Sequence, residues 1–135
     1  MQTEITREFR WAMGHALMHH RGKCYTPHGH NYRMLVTVSG EVDPVTEMVV
    51  DFSDLDDLGN TVVRGLDHKF LANENDTRFF PDDTGTWEPC PGDPTAEHLA
   101  RMCYQALAIL MEGEAYTLEE VKLYETDKAY ATVRG

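Results

Sequence analysis

The stretch Cys24-Tyr25-Thr26-Pro27-His28-Gly29-His30-Asn31-Tyr32 gathers a thiol and two imidazoles in one short run. On extended backbone, side chains two residues apart share a face, so His28 and His30 point the same way. Neutral imidazole is the commonest protein ligand for zinc, and such a pair can grip one ion. Gly29 lets the backbone between them turn or approach another segment closely. Cys24, four residues before His28, is either a further ligand or a reacting thiol beside the metal. A His-x-His pair alone is a weak motif, and its meaning depends on what the rest of the chain brings to it.

The flanking elements bring a third imidazole. Over residues 4–15, Ile5, Phe9, Trp11 and Met13 share one parity while Thr6, Glu8, Arg10 and Ala12 take the other. That period of two predicts a half-buried strand. His15 falls on the apolar parity at its end, where a lone histidine is more often a satisfied core residue than a ligand. Residues 16–27 break the period and read as a loop. In a second strand His28, His30, Tyr32, Met34, Val36 and Val38 share the apolar parity up to Ser39-Gly40. If the two strands pair as a hairpin, the end of the first meets the start of the second, and His15 joins His28 and His30.

Further along, Asp43-Pro44-Val45-Thr46 marks a turn and Met48 to Phe52 a short extended run. Ser53 is a candidate N-cap for a helix with apolar positions at Leu55, Leu58, Val62, Val63 and Leu66. Asp67-His68 reads on its own as an acid–base pair at a surface helix end. Residues 73–93, rich in Asp, Pro and Gly, form a long loop of the kind that is functional or mobile. Its aromatics Phe79, Phe80 and Trp87 need burial, against a lid partner or a second subunit. Thr95 or Asp93 caps a second helix, with Glu97 in its first turn and Leu99, Met102, Cys103, Ala106, Leu107 and Leu110 as its buried stripe. Val121 to Thr126 and Tyr130 to Val133 are two more strands. Glu125, on the apolar parity of the first, is an exposed strand end or a buried anchor. Two strands, two helices and two strands predict an α+β fold: a four-stranded antiparallel sheet with two helices on one face, in a single domain spanning 1–135.

A chain of 135 residues can bury a core without staples. Three cysteines form no disulfide framework. The net charge of -11 argues against a nucleic-acid partner. No apolar run is long enough to span a membrane, and the N-terminus lacks the layout of a signal peptide, so a cytoplasmic protein is expected.

In order along the chain, these segments resemble the 6-pyruvoyltetrahydropterin synthase / 6-carboxytetrahydropterin synthase family, which has the tunnelling fold (ββααββ). The resemblance runs over nearly the whole length. It rests on Trp11 to His15 with Leu17, Lys23-Cys24, His28-Gly29-His30-Asn31-Tyr32, Gly40 to Asp43, and Met48 to Phe52 with Leu55. Leu66-Asp67-His68 with Leu71, Pro94-Thr95-Ala96-Glu97 and Glu125-Thr126 complete it. It implies a catalytic zinc ion (Zn2+) on His15, His28 and His30, with Cys24 as the proton-abstracting thiol. It also implies that Asp67 and His68 relay protons for Cys24, that Glu125 anchors the pterin ring, and that Thr95 and Glu97 bind substrate. A homo-oligomer follows by the same resemblance, commonly a homo-hexamer with active sites between subunits.

The implied substrate is a pterin triphosphate, 7,8-dihydroneopterin triphosphate. The gap of three residues between Cys24 and His28 resembles the 6-carboxytetrahydropterin synthases of 7-deazaguanine (queuosine-type) biosynthesis. The expected activity is therefore that of a zinc-dependent lyase forming 6-carboxy-5,6,7,8-tetrahydropterin, with acetaldehyde and triphosphate released. One alternative is a 6-pyruvoyltetrahydropterin synthase of the tetrahydrobiopterin type, which eliminates triphosphate. Another is a non-catalytic zinc module closed by Cys24 and the three histidines. A third is a different pterin reaction on the same fold, since a fold does not fix a function.

Overall fold

The computed structural model describes residues 1–79 and 85–135. The two period-two stretches form long strands, β1 (Gln2–Ala16) and β2 (His28–Glu41). They pair antiparallel in unbroken register from Gln2 opposite Glu41 to His15 opposite His28. Their common apolar face is the core: Phe9, Trp11, Met13, Tyr32, Met34, Val36 and Val38 are buried. Trp11 stacks on its cross-strand partner Tyr32 with ring centroids 5.7 Å apart, an aromatic pair of the kind that fixes register. On the other face Thr6 and Thr37 share a hydroxyl hydrogen bond of 2.7 Å.

Two helices cover the apolar face. In α1 (Phe52–Arg64) the N-cap is Asp51 rather than Ser53: its carboxylate accepts from Ser53 N at 2.8 Å. Met48 to Val50 are irregular rather than extended. The helix can lie on β1 because residue 59 is glycine; a Cβ there would stand 2.1 Å from Phe9 Cζ. In α2 (Ala96–Leu110) the cap is Thr95, whose Oγ1 accepts from His98 N at 3.1 Å. Leu99, Ala100, Cys103 and Leu107 are buried in the same core cluster as Leu55 and Val63 of α1. Leu110, expected in the stripe, is exposed.

The four-stranded antiparallel sheet expected from the sequence is incorrect in number and in sense. The sheet has six strands and is mixed. Two short strands, β3 (Phe70–Asn73) and β4 (Trp87–Cys90), run parallel to β1 and to each other, with Gly14 opposite Phe70 and Phe70 opposite Trp87. After α2, β5 (Thr117–Thr126) and β6 (Ala129–Arg134) continue antiparallel from β2. The order is β4-β3-β1-β2-β5-β6. Four residues show no period, and β4 carries Pro89, so both added strands hide in loop-like composition. Proline is tolerated there because β4 is an edge strand. Within the presumed long loop, Phe79 packs on Phe70, centroids 4.9 Å apart, and Trp87 is half-buried in β4. Phe80 lies outside the described residues. Among the described residues, no helix is long and apolar enough to cross a membrane.

Candidate functional site

The β1–β2 register delivers the three histidines to one place. His15 stands opposite His28, and Met13 opposite His30, so all three rings fall on the core face at the end of the hairpin closed by residues 17–27. One nitrogen from each ring lies within 4.8 Å of the other two. His15 is fully buried, and His28 and His30 partly so. Glycine at position 14 gives β3 its place beside them, since a Cβ there would come within 2.9 Å of the Phe70 ring.

Backbone carbonyls set the tautomers of two of the rings. His15 Nδ1 lies 2.8 Å from Pro94 O, and His28 Nδ1 lies 2.7 Å from Thr26 O. A carbonyl can only accept, so each Nδ1 carries its proton, and in a neutral ring Nε2 then presents a lone pair. Yet His15 Nε2 and His28 Nε2 are 2.9 Å apart. With both rings neutral, two lone pairs face each other at that distance, which is repulsive rather than a hydrogen bond. His30 Nε2 is buried and, among the described residues, has no hydrogen-bond partner. A cation among the three nitrogens answers both problems, and the bonds at Nδ1 are the usual outer support of metal-bound imidazole. Burial holds both His15 and His30 below the ordinary histidine pKa, with Pro94 and Glu125 opposing it at His15 and Glu125 opposing it at His30. They stay neutral and able to bind metal. Three protein ligands leave zinc an open position, the pattern of a catalytic site.

Glu125 reaches this cluster through a break in the sheet. Tyr124 pairs with Tyr130 and Thr126 with Ala129, so the register shifts at Glu125. Bulges of this sort re-aim side chains beside active sites. Glu125 Oε1 lies 3.4 Å from His15 Nε2 and 3.8 Å from His30 Nε2. A cavity of about 690 Å³ opens here, lined among others by Gly29, His30, His68, Lys69 and Glu125.

The Asp67-His68 pair sits at the rim. His68 N donates to Ala12 O at 2.7 Å, and Asp67 Oδ1 accepts from Ala12 N at 3.2 Å, so the pair is stitched to β1. Asp67 Oδ1 lies 2.9 Å from His68 Nδ1. His68 has a left-handed backbone (φ 62) and an exposed ring. That conformation is uncommon for a residue with a Cβ and is frequent at functional sites.

Cys24 lies on a single 3₁₀ turn, Lys23–Tyr25, between β1 and β2 and is partly exposed. The other cysteines are buried, and burial pushes the Cys90 thiol up to about 11 and the Cys103 thiol up to about 12. Neither is a usable base. Within this one chain, among the described residues, no hydrogen bond or ion pair joins Cys24 to Asp67 or His68. Thr95 and Glu97 do not line the cavity; Thr95 caps α2 and Glu97 is exposed. Their motif serves the site through its first member, the carbonyl of Pro94 on His15. No sequence signal marks a backbone carbonyl as a support, so Pro94 and Thr26 were invisible in that role.

Residues 4–135 match the model of the family described as 6-pyruvoyl tetrahydropterin synthase. The human 6-pyruvoyl tetrahydrobiopterin synthase is 36% identical over 118 residues, covering 84% of this chain and 72% of that one. The 6-carboxy-5,6,7,8-tetrahydropterin synthase of Haemophilus influenzae is 30% identical over 137 residues, covering 94% and 95%. The Caenorhabditis elegans 6-pyruvoyl tetrahydropterin synthase superposes with a TM-score of 0.77 at 26% identity, covering 100% and 96%. An uncharacterized protein from Wolinella succinogenes shares the fold, with a TM-score of 0.86 at 18% identity over 99% and 98% of the two chains.

Proposed function

The chain belongs to the 6-pyruvoyl tetrahydropterin synthase family of pterin lyases, and we propose that its reaction is the zinc-dependent conversion of 7,8-dihydroneopterin triphosphate to 6-carboxy-5,6,7,8-tetrahydropterin. The observation that carries lyase chemistry here is the convergence of three imidazoles, with His30 Nε2 unpartnered among the described residues, beside a cavity that His30 lines together with Glu125 and His68. The carboxy product is supported by the short Cys24–His28 spacing. A second support is the end-to-end match to the Haemophilus influenzae carboxytetrahydropterin synthase, against 72% of the human protein.

His15, His28 and His30 would hold the zinc through Nε2. Bound there, the metal supplies a Lewis acid that polarises the hydroxyls of the substrate side chain and acidifies the adjoining C–H. Glu125 orients the ring, because one carboxylate can accept from both the pterin amino group and the neighbouring ring N–H. Cys24, as thiolate, takes the proton from carbon. Asp67 fixes His68 by its Nδ1 and leaves Nε2 free to pass that proton on. In this reading the protein is a homo-oligomer, a hexamer, whose sites form between subunits.

The test is to incubate zinc-loaded protein with 7,8-dihydroneopterin triphosphate and identify the products by mass. The expected set is the 6-carboxy pterin, acetaldehyde and triphosphate. A product retaining the three-carbon side chain would instead favour the pyruvoyl synthase reading, which the 36% identity to the human enzyme keeps in play. No turnover at full zinc occupancy would leave the non-catalytic module.

A further inference from the structure

We infer that Arg78, held by Asp76, is a positioning residue for Cys24, and that residues 73–79 with Asp93 form a brace for the loop that carries the thiol; this rests on the reading of Cys24 as the base. The turn that bears Cys24 cannot fix itself. It is three residues long, has no buried side chain, and is closed by weak local bonds, Tyr25 N to Gly22 O at 3.2 Å and Thr26 N to Lys23 O at 3.1 Å. A general base must nonetheless be held to a fraction of an ångström, because misplacement by about 1 Å can cost a hundredfold in rate.

The rigidity comes from the chain after β3. Arg78 Nη1 donates to Tyr25 O at 2.5 Å, and its guanidinium carbon lies 3.5 Å from the centroid of the Tyr25 ring. The other two guanidinium nitrogens grip one carboxylate: Nε donates to Asp76 Oδ1 at 3.0 Å and Nη2 to Asp76 Oδ2 at 2.7 Å. Asp76 is 4% exposed, and its Oδ1 also accepts from Arg78 N at 3.2 Å. A forked, charge-assisted pair at a buried carboxylate has little freedom, so the remaining arm of the guanidinium is aimed.

The other end of the loop is tied by a parallel device. Asn73, buried at the end of β3, donates from Nδ2 to Asp93 Oδ1 at 2.9 Å. Asp93 Oδ2 accepts from His19 N at 3.0 Å. In the middle, Leu17 N donates to Cys24 O at 2.9 Å. Asp76 N donates to Asn73 O at 2.8 Å, so His19 and Tyr25, on either side of Cys24, are both referred back to the end of β3, the strand that pairs with β1 beside His15. The thiol and the imidazoles share one frame.

The test compares wild type, Arg78→Ala and Arg78→Lys by steady-state kinetics, zinc content and amide hydrogen exchange. In Arg78→Ala we expect unchanged zinc content, KM within about twofold, and kcat lower by roughly ten- to a hundredfold. Faster exchange should be confined to residues 22–26. Lysine keeps a charge over Tyr25 but cannot fork onto Asp76, so Arg78→Lys should recover only part of kcat. Wild-type kcat and exchange in Arg78→Ala would overturn the assignment. Loss of zinc, or faster exchange throughout the sheet, would overturn it too, by giving Arg78 a role in folding instead. Should Arg78→Ala fail to fold, Asp76→Asn and Arg78→Lys are read by the same criteria. Normal turnover by Cys24→Ala would remove the base assignment itself, and the exchange comparison would still decide whether Arg78 braces the loop.

Discussion

At His15 the ring is fully buried, with Nδ1 tied to Pro94 and Nε2 turned toward His28 and Glu125. Two imidazoles bind zinc too weakly to compete with buffer and water, so each of the three rings is needed. Alanine at His15, His28 or His30 should each abolish stoichiometric zinc, as measured by metal analysis after dialysis. Full occupancy in His15→Ala would mean that the hairpin register does not assemble the ligand set. In the proposed reading Glu125 carries a different load, that of the pterin anchor. Glu125→Gln keeps the size but presents an amide donor to the donors of the pterin ring. The loss of a charge-assisted bond and the unpaired group should weaken pterin-analogue binding by about 2–4 kcal/mol, read by calorimetry, with zinc content unchanged. Unchanged affinity would move the pterin pocket elsewhere.

At the scale of elements, the packing of α1 on β1 turns on one missing methyl group. Alanine at Gly59 would gain about 1 kcal/mol of helix propensity. However, its Cβ would stand 2.1 to 2.6 Å from three carbons of the buried Phe9 ring. Overpacking of that kind costs about 1–3 kcal/mol and should win. Urea unfolding should therefore show Gly59→Ala destabilised; a stabilised variant would mean that helix and strand are not in this contact. The long elements were legible because they carry a period: parity alone put His15, His28 and His30 on one face, and a hairpin then joined them. β3 and β4 were not legible, since four residues carry no period and parallel pairing is not signalled by a turn. The Asn73–Asp93 and Asp76–Arg78 contacts were hidden in the same stretch. Its composition reads as loop whether its polar groups are solvated or buried against one another.

Over the whole molecule, hydrogen bonds hold several carboxylates below the usual range: Asp43 by the Thr46 and Val45 amides, Asp51 by Ser53, and Asp76 by Arg78. A depressed folded pKa supplies stability that is complete above the unfolded carboxylate value of about 3.9 and drains as pH falls below it. Thermal melts should show that loss below about pH 4, and Asp76→Asn should make it shallower; an unaltered slope would remove Asp76 from the linkage. The proposed reaction, the triad and the proposed brace meet in one claim of that proposal: Cys24 reacts beside the metal and does not ligate it. The direct measurement is product formation by Cys24→Ala, with zinc counted in the same sample. The site described here predicts full zinc occupancy and turnover lower by roughly a hundredfold or more. Undiminished turnover, or a variant that loses its zinc and unfolds, would contradict it.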